Sequence, residues 1–166
     1  NKAKGQQYFI EAMSKLKKYN IRYELVGSGD SNYLRSCALK NGVADRVVFK
    51  GQMKHQQVLE WIDSLDIYIQ PSMQEGLPRA LIEAMSRACP AIGSSTGGIP
   101  ELLPSDAIFK RGNVDSLIKT FKTIIESDLD AKAKVNFNKA KEYELEKLNS
   151  RRNVVYEQFK NYIINE

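Results

Sequence analysis

The sequence predicts an α/β fold, a doubly wound parallel sheet with helices on both faces. Three observations carry this. Short apolar runs rich in Val and Ile recur through the first two-thirds of the chain. Each is closed by a turn bearing Gly or Pro. A segment with apolar residues at helical spacing follows each of them. Strands that alternate with helices in this way pair in parallel and are covered on both sides.

In chain order, Phe9, Ala12, Met13 and Leu16 place a first helix over 5–19. Tyr23-Glu24-Leu25-Val26 reads as a strand, closed by Gly27-Ser28-Gly29. Asp30 or Ser31 caps a helix carrying Leu34, Cys37 and Ala38, and Asn41-Gly42 ends it. Val47-Val48-Phe49 is the second strand, closed by Gly51, and Val58, Leu59 and Ile62 define a helix over 55–65. Asp66 to Gln70 is the third strand, stopped by Pro71. A helix from Pro78 to Ala88 leads to the strand Ala91-Ile92-Gly93. The Gly97-Gly98 turn opens a short helix over 100–103, and Ala107-Ile108-Phe109 is the fifth strand. Helices over 114–127, 130–146 and 150–164 complete a Rossmann-like unit. A doubly wound unit opens on a strand, whereas this segment opens on a helix, so a first strand is expected upstream of it.

Composition narrows the class. The 166 residues suit one folding unit, able to bury a core without disulfides or a structural metal. Hydrophobic residues at 42% and charged residues at 27% exclude disordered, collagenous and disulfide-scaffold proteins. No apolar run approaches the roughly 20 residues that span a bilayer. Cys37 and Cys89 are read as two small buried thiols of a reduced, cytoplasmic protein. No metal site is expected, because the single histidine, His55, has no ligand-spaced neighbours. The net charge of +5 calls for an anionic partner. Bases interleave with acids and lack alternating aromatics, so nucleic acid is set aside. A phosphate-bearing small molecule and an anionic membrane surface remain.

In an open parallel sheet, ligands bind beyond the carboxyl ends of the strands. Three turns there are informative. Gly27-Ser28-Gly29-Asp30 is G-x-G without a third glycine, and Phe49-Lys50-Gly51 lacks the acid that a nicotinamide ribose requires. Hydride transfer is therefore excluded. The second turn reads Glu75-Gly76-Leu77-Pro78 and leads into a helix holding Glu83. Gly76 lets backbone approach a ligand, Pro78 suits a helix start, and the helix amides favour an anion. Glu75 can accept hydrogen bonds from sugar hydroxyls. Glu83, with Arg79 and Arg87 four residues to either side, reads equally as a solvated ion-pair network. The third turn, Ser94-Ser95-Thr96-Gly97-Gly98, makes another amide-lined concavity suited to phosphate.

Taken in order, these pieces resemble the C-terminal, donor-binding half of a GT-B glycosyltransferase, most closely the retaining family 4 group. The matching pieces are Lys4-Gly5, Val26-Gly27-Ser28-Gly29, Val48-Phe49-Lys50-Gly51, Pro71-Ser72, the Glu75-x7-Glu83 pair and Gly97-Gly98-Ile99-Pro100-Glu101. The resemblance implies that Glu75 contacts the donor sugar and that Lys4 neutralises the donor diphosphate. It implies that Glu83 holds the nucleotide ribose. Gly76 and Leu77 would approach the sugar and diphosphate, while Pro78 departs from the usual glycine and offers no amide. Gly51, Gln52 and Met53 would line the base pocket, and Gly27, Gly97 and Gly98 would sit close to the donor.

The expected function is transfer of a hexose-type sugar from a UDP- or GDP-sugar to an acceptor hydroxyl, with retention, in polysaccharide or glycolipid synthesis. No cofactor and no metal are expected, on the reading that no Asp-x-Asp cluster is present to hold one. The expected domain is 1–166, with the final helices (130–166) packing back on it or toward an acceptor-binding N-terminal domain. That second domain would supply the acceptor glycan or lipid-linked sugar. The expected location is cytoplasmic, including the inner face of the membrane. Two other functions stay open at this point: a GT-B-type nucleotide-sugar epimerase, and a non-catalytic nucleotide-sugar-binding module.

Overall fold

The computed structural model describes residues 2–164; the ends of the expected 1–166 domain, Asn1, Asn165 and Glu166, lie outside it. A 3-10 turn at Lys2–Lys4 leads into α1 (Gln6–Lys15). Then follow β1 (Tyr23–Val26), α2 (Asn32–Lys40), β2 (Val47–Gly51), α3 (His55–Asp63), β3 (Tyr68–Gln70), α4 (Arg79–Ser86), β4 (Ala91–Ser94), α5 (Ile99–Leu102) and β5 (Ile108–Phe109). Three helices close the chain: α6 (Val114–Ile125), α7 (Leu129–Ala140) and α8 (Leu145–Ile164).

All five strands form where the apolar runs stand, and all their pairings are parallel. The single five-stranded sheet expected above is found as two pieces. β1 pairs with β2, Tyr23 opposite Val47, with a bulge between Leu25 and Val26. β3, β4 and β5 pair in that order, Tyr68 opposite Ala91 and Gly93 opposite Ile108. Between β1 and β3 lies a cavity of about 530 Å³, with Leu25, Ile67 and Ile69 among its walls. Tyr68 N–H donates to the Pro90 carbonyl on the β4 side (2.8 Å). By the alternation of a strand, the amides of Ile67 and Ile69 face the gap. Burial follows pairing. All four residues of β4, flanked on both sides, are buried, whereas Glu24, Leu25 and Val26 of β1 and Tyr68 and Ile69 of β3 are only half-buried. In hydrogen exchange, the Ile67 and Ile69 amides should therefore lose protection well before that of Ile92. Equal protection would mean that the two edges are closed on each other.

The core lies under both pieces. α1 buries Phe9, Ala12 and Met13 of the expected stripe and Ile10 beside them, and Leu16 is buried just past its end. The Phe9 ring meets Tyr23 of β1 edge-on at 4.8 Å and Phe121 of α6 at 5.6 Å. Burying one such ring is worth about 1.5–3 kcal/mol, and aromatic pairing adds about 0.5–1.5 kcal/mol. This cluster fixes α1, and with it the Lys2–Lys4 turn, against the sheet.

Several boundaries move for local reasons. Asp30, not Ser31, gives the side-chain oxygen at the start of α2, accepting from Asn32 N–H at 2.9 Å. The last two helices divide at a 3-10 turn, Lys141–Tyr143, rather than near 146–150. α7 packs back on the domain, with buried Asn136 donating to the Cys89 carbonyl at 2.9 Å. α8 does not: Val154, Val155, Tyr156, Phe159, Tyr162 and Ile163 are exposed. Cys37 is half-buried rather than buried, Cys89 is buried, and both thiols are free. Among the described residues no helix is long and apolar enough to cross a membrane.

Candidate functional site

The site forms at the carboxyl end of β3, where three backbone segments meet. The Lys2–Lys4 turn docks first: the Ala3 carbonyl accepts from Met73 N–H at 2.8 Å. Gly5 makes this approach feasible. Its φ is +69°, and a Cβ there would lie 1.8 Å from the Pro71 carbonyl oxygen. On the opposite side, Gly97 (φ +54°) lies against the Glu75 backbone, where a Cβ would come within 2.0 Å of the Glu75 carbonyl oxygen. Gly98 N–H donates to the Gly76 carbonyl at 2.8 Å. The loop 72–77 is thus held between two glycine contacts that only a missing side chain permits.

This docking joins Lys4 to Glu75, 71 residues apart, with Nζ 3.0 Å from Oε2. The same oxygen accepts from Ser72 Oγ at 2.9 Å and from Gln70 Nε2 at 3.0 Å. Burial alone would raise the Glu75 pKa. Donation from Lys4, Ser72 and Gln70, with the Lys4 charge, more than reverses this and holds it below the usual carboxylate value. Glu75 is therefore a carboxylate at neutral pH. The contribution of this network to stability is present above the unfolded carboxyl's pKa and lost as pH falls through the lower folded one.

Glu83 sits one and a half turns into α4 and lines the cavity whose wall also includes Lys4 and Gln70. The same cavity is lined by Leu25, Ile67 and Ile69 of the gap between β1 and β3. The ion-pair reading of Glu83 is not realised. Arg87 turns away to make a two-pronged contact with Asp63, and among the described residues no ion pair includes Glu83. A second, open cavity of about 570 Å³ is lined by Glu75, Gly76, Thr96, Gly97 and Arg111.

The remaining expected residues fall into two groups. Leu77 is exposed beside Gly98, and Pro78 is buried at the N-cap of α4 with φ −77°. Gly27 and Gly51 meet each other, Gly27 N–H donating to the Gly51 carbonyl at 2.8 Å. They end the β1–β2 piece, and Gln52 and Met53 continue from it. None of these residues, Leu77 and Pro78 included, lines either cavity. Three residues were missed by the motif reading: Gln70, Tyr68 and Arg111. Tyr68, Gln70 and Ser72 fall at alternate positions and so share one face of the strand and its extension, a polar alternation visible in the sequence. One expectation is corrected by the sequence itself: an Asp-x-Asp run is present, at Asp128-Leu129-Asp130. Asp128 there caps α7, accepting from Ala131 N–H at 3.0 Å. Among the described residues no cluster of His, Cys, Asp and Glu could hold a metal.

With fold and site described, comparison gives the class. The family model "Glycosyl transferases group 1" matches residues 1–143. Protein CapJ of Staphylococcus aureus is 37% identical over 119 residues, which cover 70% of this chain and 30% of CapJ. The phosphatidylinositol N-acetylglucosaminyltransferase gpi3 subunit of Schizosaccharomyces pombe is 34% identical over 116 residues, 69% of this chain and 25% of that protein. The structure of Anabaena Alr3699/HepE in complex with UDP superposes with a TM-score of 0.79 at 20% identity, over 96% of this chain and 46% of that one. The architecture is that of a GT-B glycosyltransferase C-terminal domain. The chain belongs to the group 1 glycosyl transferase family. It spans less than a third of the length of each of these two curated relatives.

Proposed function

We propose that this chain is the donor-binding domain of a retaining glycosyltransferase of the family 4 type. It holds a UDP- or GDP-linked hexose, and the whole enzyme transfers the sugar to an acceptor hydroxyl in polysaccharide or glycolipid synthesis. The observation that carries the reading is the convergence of Lys4 and Glu75 at the end of β3, with Lys4 lining the same cavity as Glu83, a carboxylate that no ion pair among the described residues includes. HepE has been solved with UDP and with UDP-glucose, and the gpi3 subunit is named for N-acetylglucosamine transfer to a phosphatidylinositol. The first supports a nucleotide-sugar donor and the second a glycolipid-type acceptor.

The chemistry assigned to these residues is positioning and charge stabilisation. Lys4, half-exposed, is free to turn from Glu75 toward the departing diphosphate. Glu83 accepts from the ribose hydroxyls. Glu75 accepts from a sugar hydroxyl and holds the ring while the anomeric bond breaks. Gly76 and Leu77 bring main chain to the sugar and diphosphate, with Gly97 and Gly98 bracing them. Gly51, Gln52 and Met53, with Gly27, form the base side. The acceptor arrives from an N-terminal domain, and docking on an anionic leaflet at the cytoplasmic face fits the net charge of +5.

Calorimetry with UDP, GDP and their glucose and mannose conjugates tests the site. One base should bind, and Glu83→Ala should weaken the bare nucleotide by about tenfold or more, the loss expected for hydrogen bonds to a charged acceptor. Binding of no nucleotide, or an unchanged affinity after Glu83→Ala, removes the assignment.

A further inference from the structure

Gln70 is a buried polar side chain in a strand where Ile67 and Ile69 keep an apolar alternation. A polar group in such a place requires partners, and Gln70 has one at every end of its amide. Its Oε1 accepts from Tyr68 OH at 3.0 Å. Its Nε2 donates to Ser72 Oγ at 2.9 Å and to Glu75 Oε2 at 3.0 Å. Tyr68 also determines which way the amide faces. Burial, then the nearby charges of Glu83 and Glu75, push the phenol's pKa far up, so it remains a hydroxyl and a donor. A flipped amide would turn its oxygen against the Glu75 carboxylate.

The three donors to Glu75 share one oxygen, Oε2. Among the described residues no hydrogen bond reaches Oε1. Of those donors, Lys4 is half-exposed and able to swing to an anion, whereas Ser72 is fully buried and Gln70 is 6% exposed. When Lys4 leaves, the buried pair keeps its grip.

We propose that Gln70, oriented by Tyr68, is a positioning residue that pins Oε2 of Glu75 and thereby presents Oε1 to a donor-sugar hydroxyl. The proposal rests on the donor reading above and adds to it a residue that determines sugar-side selectivity. Gln70 touches no ligand itself; it acts through Glu75.

The test uses Gln70→Leu, which keeps similar bulk and removes the amide, and Tyr68→Phe, which removes only the hydroxyl. Affinities for UDP and UDP-glucose, and for GDP and GDP-mannose, are measured by calorimetry. The Glu75 carboxyl is titrated by carbon NMR. In Gln70→Leu, the preference for the sugar conjugate over its bare nucleotide should fall about tenfold, with bare-nucleotide affinity held within about twofold. The Glu75 titration should move to higher pH. Tyr68→Phe should shift both in the same direction by a smaller factor, and it serves if Gln70→Leu does not fold. Equal losses of nucleotide and conjugate, or an unmoved Glu75 titration, overturn the proposal. A wild-type protein with no preference for the conjugate overturns the sugar-side role of Glu75 instead, and the titration alone then decides whether Gln70 orients the carboxylate.

Discussion

Glu75→Ala, made in the full-length protein that carries this chain, will cut turnover by about a hundredfold or more and leave bare-nucleotide affinity within about twofold. The asymmetry follows from position. Glu75 lies on the loop after β3 and lines the open cavity with Gly76 and Gly97, whereas Glu83 lines the other one. On the proposed donor reading, removing Glu75 strips the sugar end and spares the nucleotide end. Glu75→Gln should be nearly as damaging, for a reason specific to this network. Lys4, Ser72 and Gln70 all donate to one oxygen, so the new amide must turn its own oxygen inward. Its NH2 then faces the sugar, where an acceptor is needed. The same variant isolates the acid limb of stability. The carboxylate's folded pKa is depressed, so the wild type loses this contribution as pH falls through that value, and Glu75→Gln should flatten the loss. Steady-state kinetics together with nucleotide calorimetry reads the first effect. If kcat and nucleotide affinity fall in parallel for Glu75→Ala, Glu75 has no sugar-side role.

What the sequence discloses here is set by the range of the interactions. The strands are legible because a run such as Val47-Val48-Phe49 satisfies its own local rule. The break between β1 and β3 is not, because periodicity says nothing about which strand lies beside which. Glu75 and Glu83 are legible from their spacing, and Lys4 only from resemblance, since its contact with Glu75 spans 71 residues. Glu83 shows how a local rule can mislead: Arg87 stands at the i+4 position, but a tertiary partner, Asp63, takes the guanidinium. Gly97 and Gly98 read as a phosphate turn. In the folded chain Gly97 gives clearance to the Glu75 backbone, and Gly98 spends its amide on Gly76. Gln70 is easily passed over because a polar residue closing a strand looks like the strand's end; its alternation with Tyr68 and Ser72 is in the sequence, but only its partners show what that face meets.

Gly5→Ala should be the most destabilising small substitution, because two costs coincide. The residue sits at φ +69°, where an L side chain costs about 1–2 kcal/mol. Its Cβ would also lie 1.8 Å from the Pro71 carbonyl oxygen, a backbone atom that no rotamer change can move. The turn at Lys2–Lys4 must then lift, breaking the Ala3–Met73 hydrogen bond and drawing Lys4 from Glu75. A total near 3 kcal/mol is expected, roughly a 6–12 °C drop in Tm for a chain of this size. Gly97→Ala meets the Glu75 carbonyl at 2.0 Å from the other side and should behave alike. Gly29→Ala is the control: its Cβ would meet nothing within 4 Å, and its cost should stay within about 0.5 kcal/mol. Thermal unfolding of the three variants separates clearance from glycine content. Loss of stability should track loss of sugar-conjugate binding in Gly5→Ala and Gly97→Ala, because both glycines hold the loop that carries Glu75. A stable Gly5→Ala protein that binds like wild type would show that the Lys2–Lys4 turn does not dock where Lys4 can reach Glu75, and Lys4 would lose its place in the site.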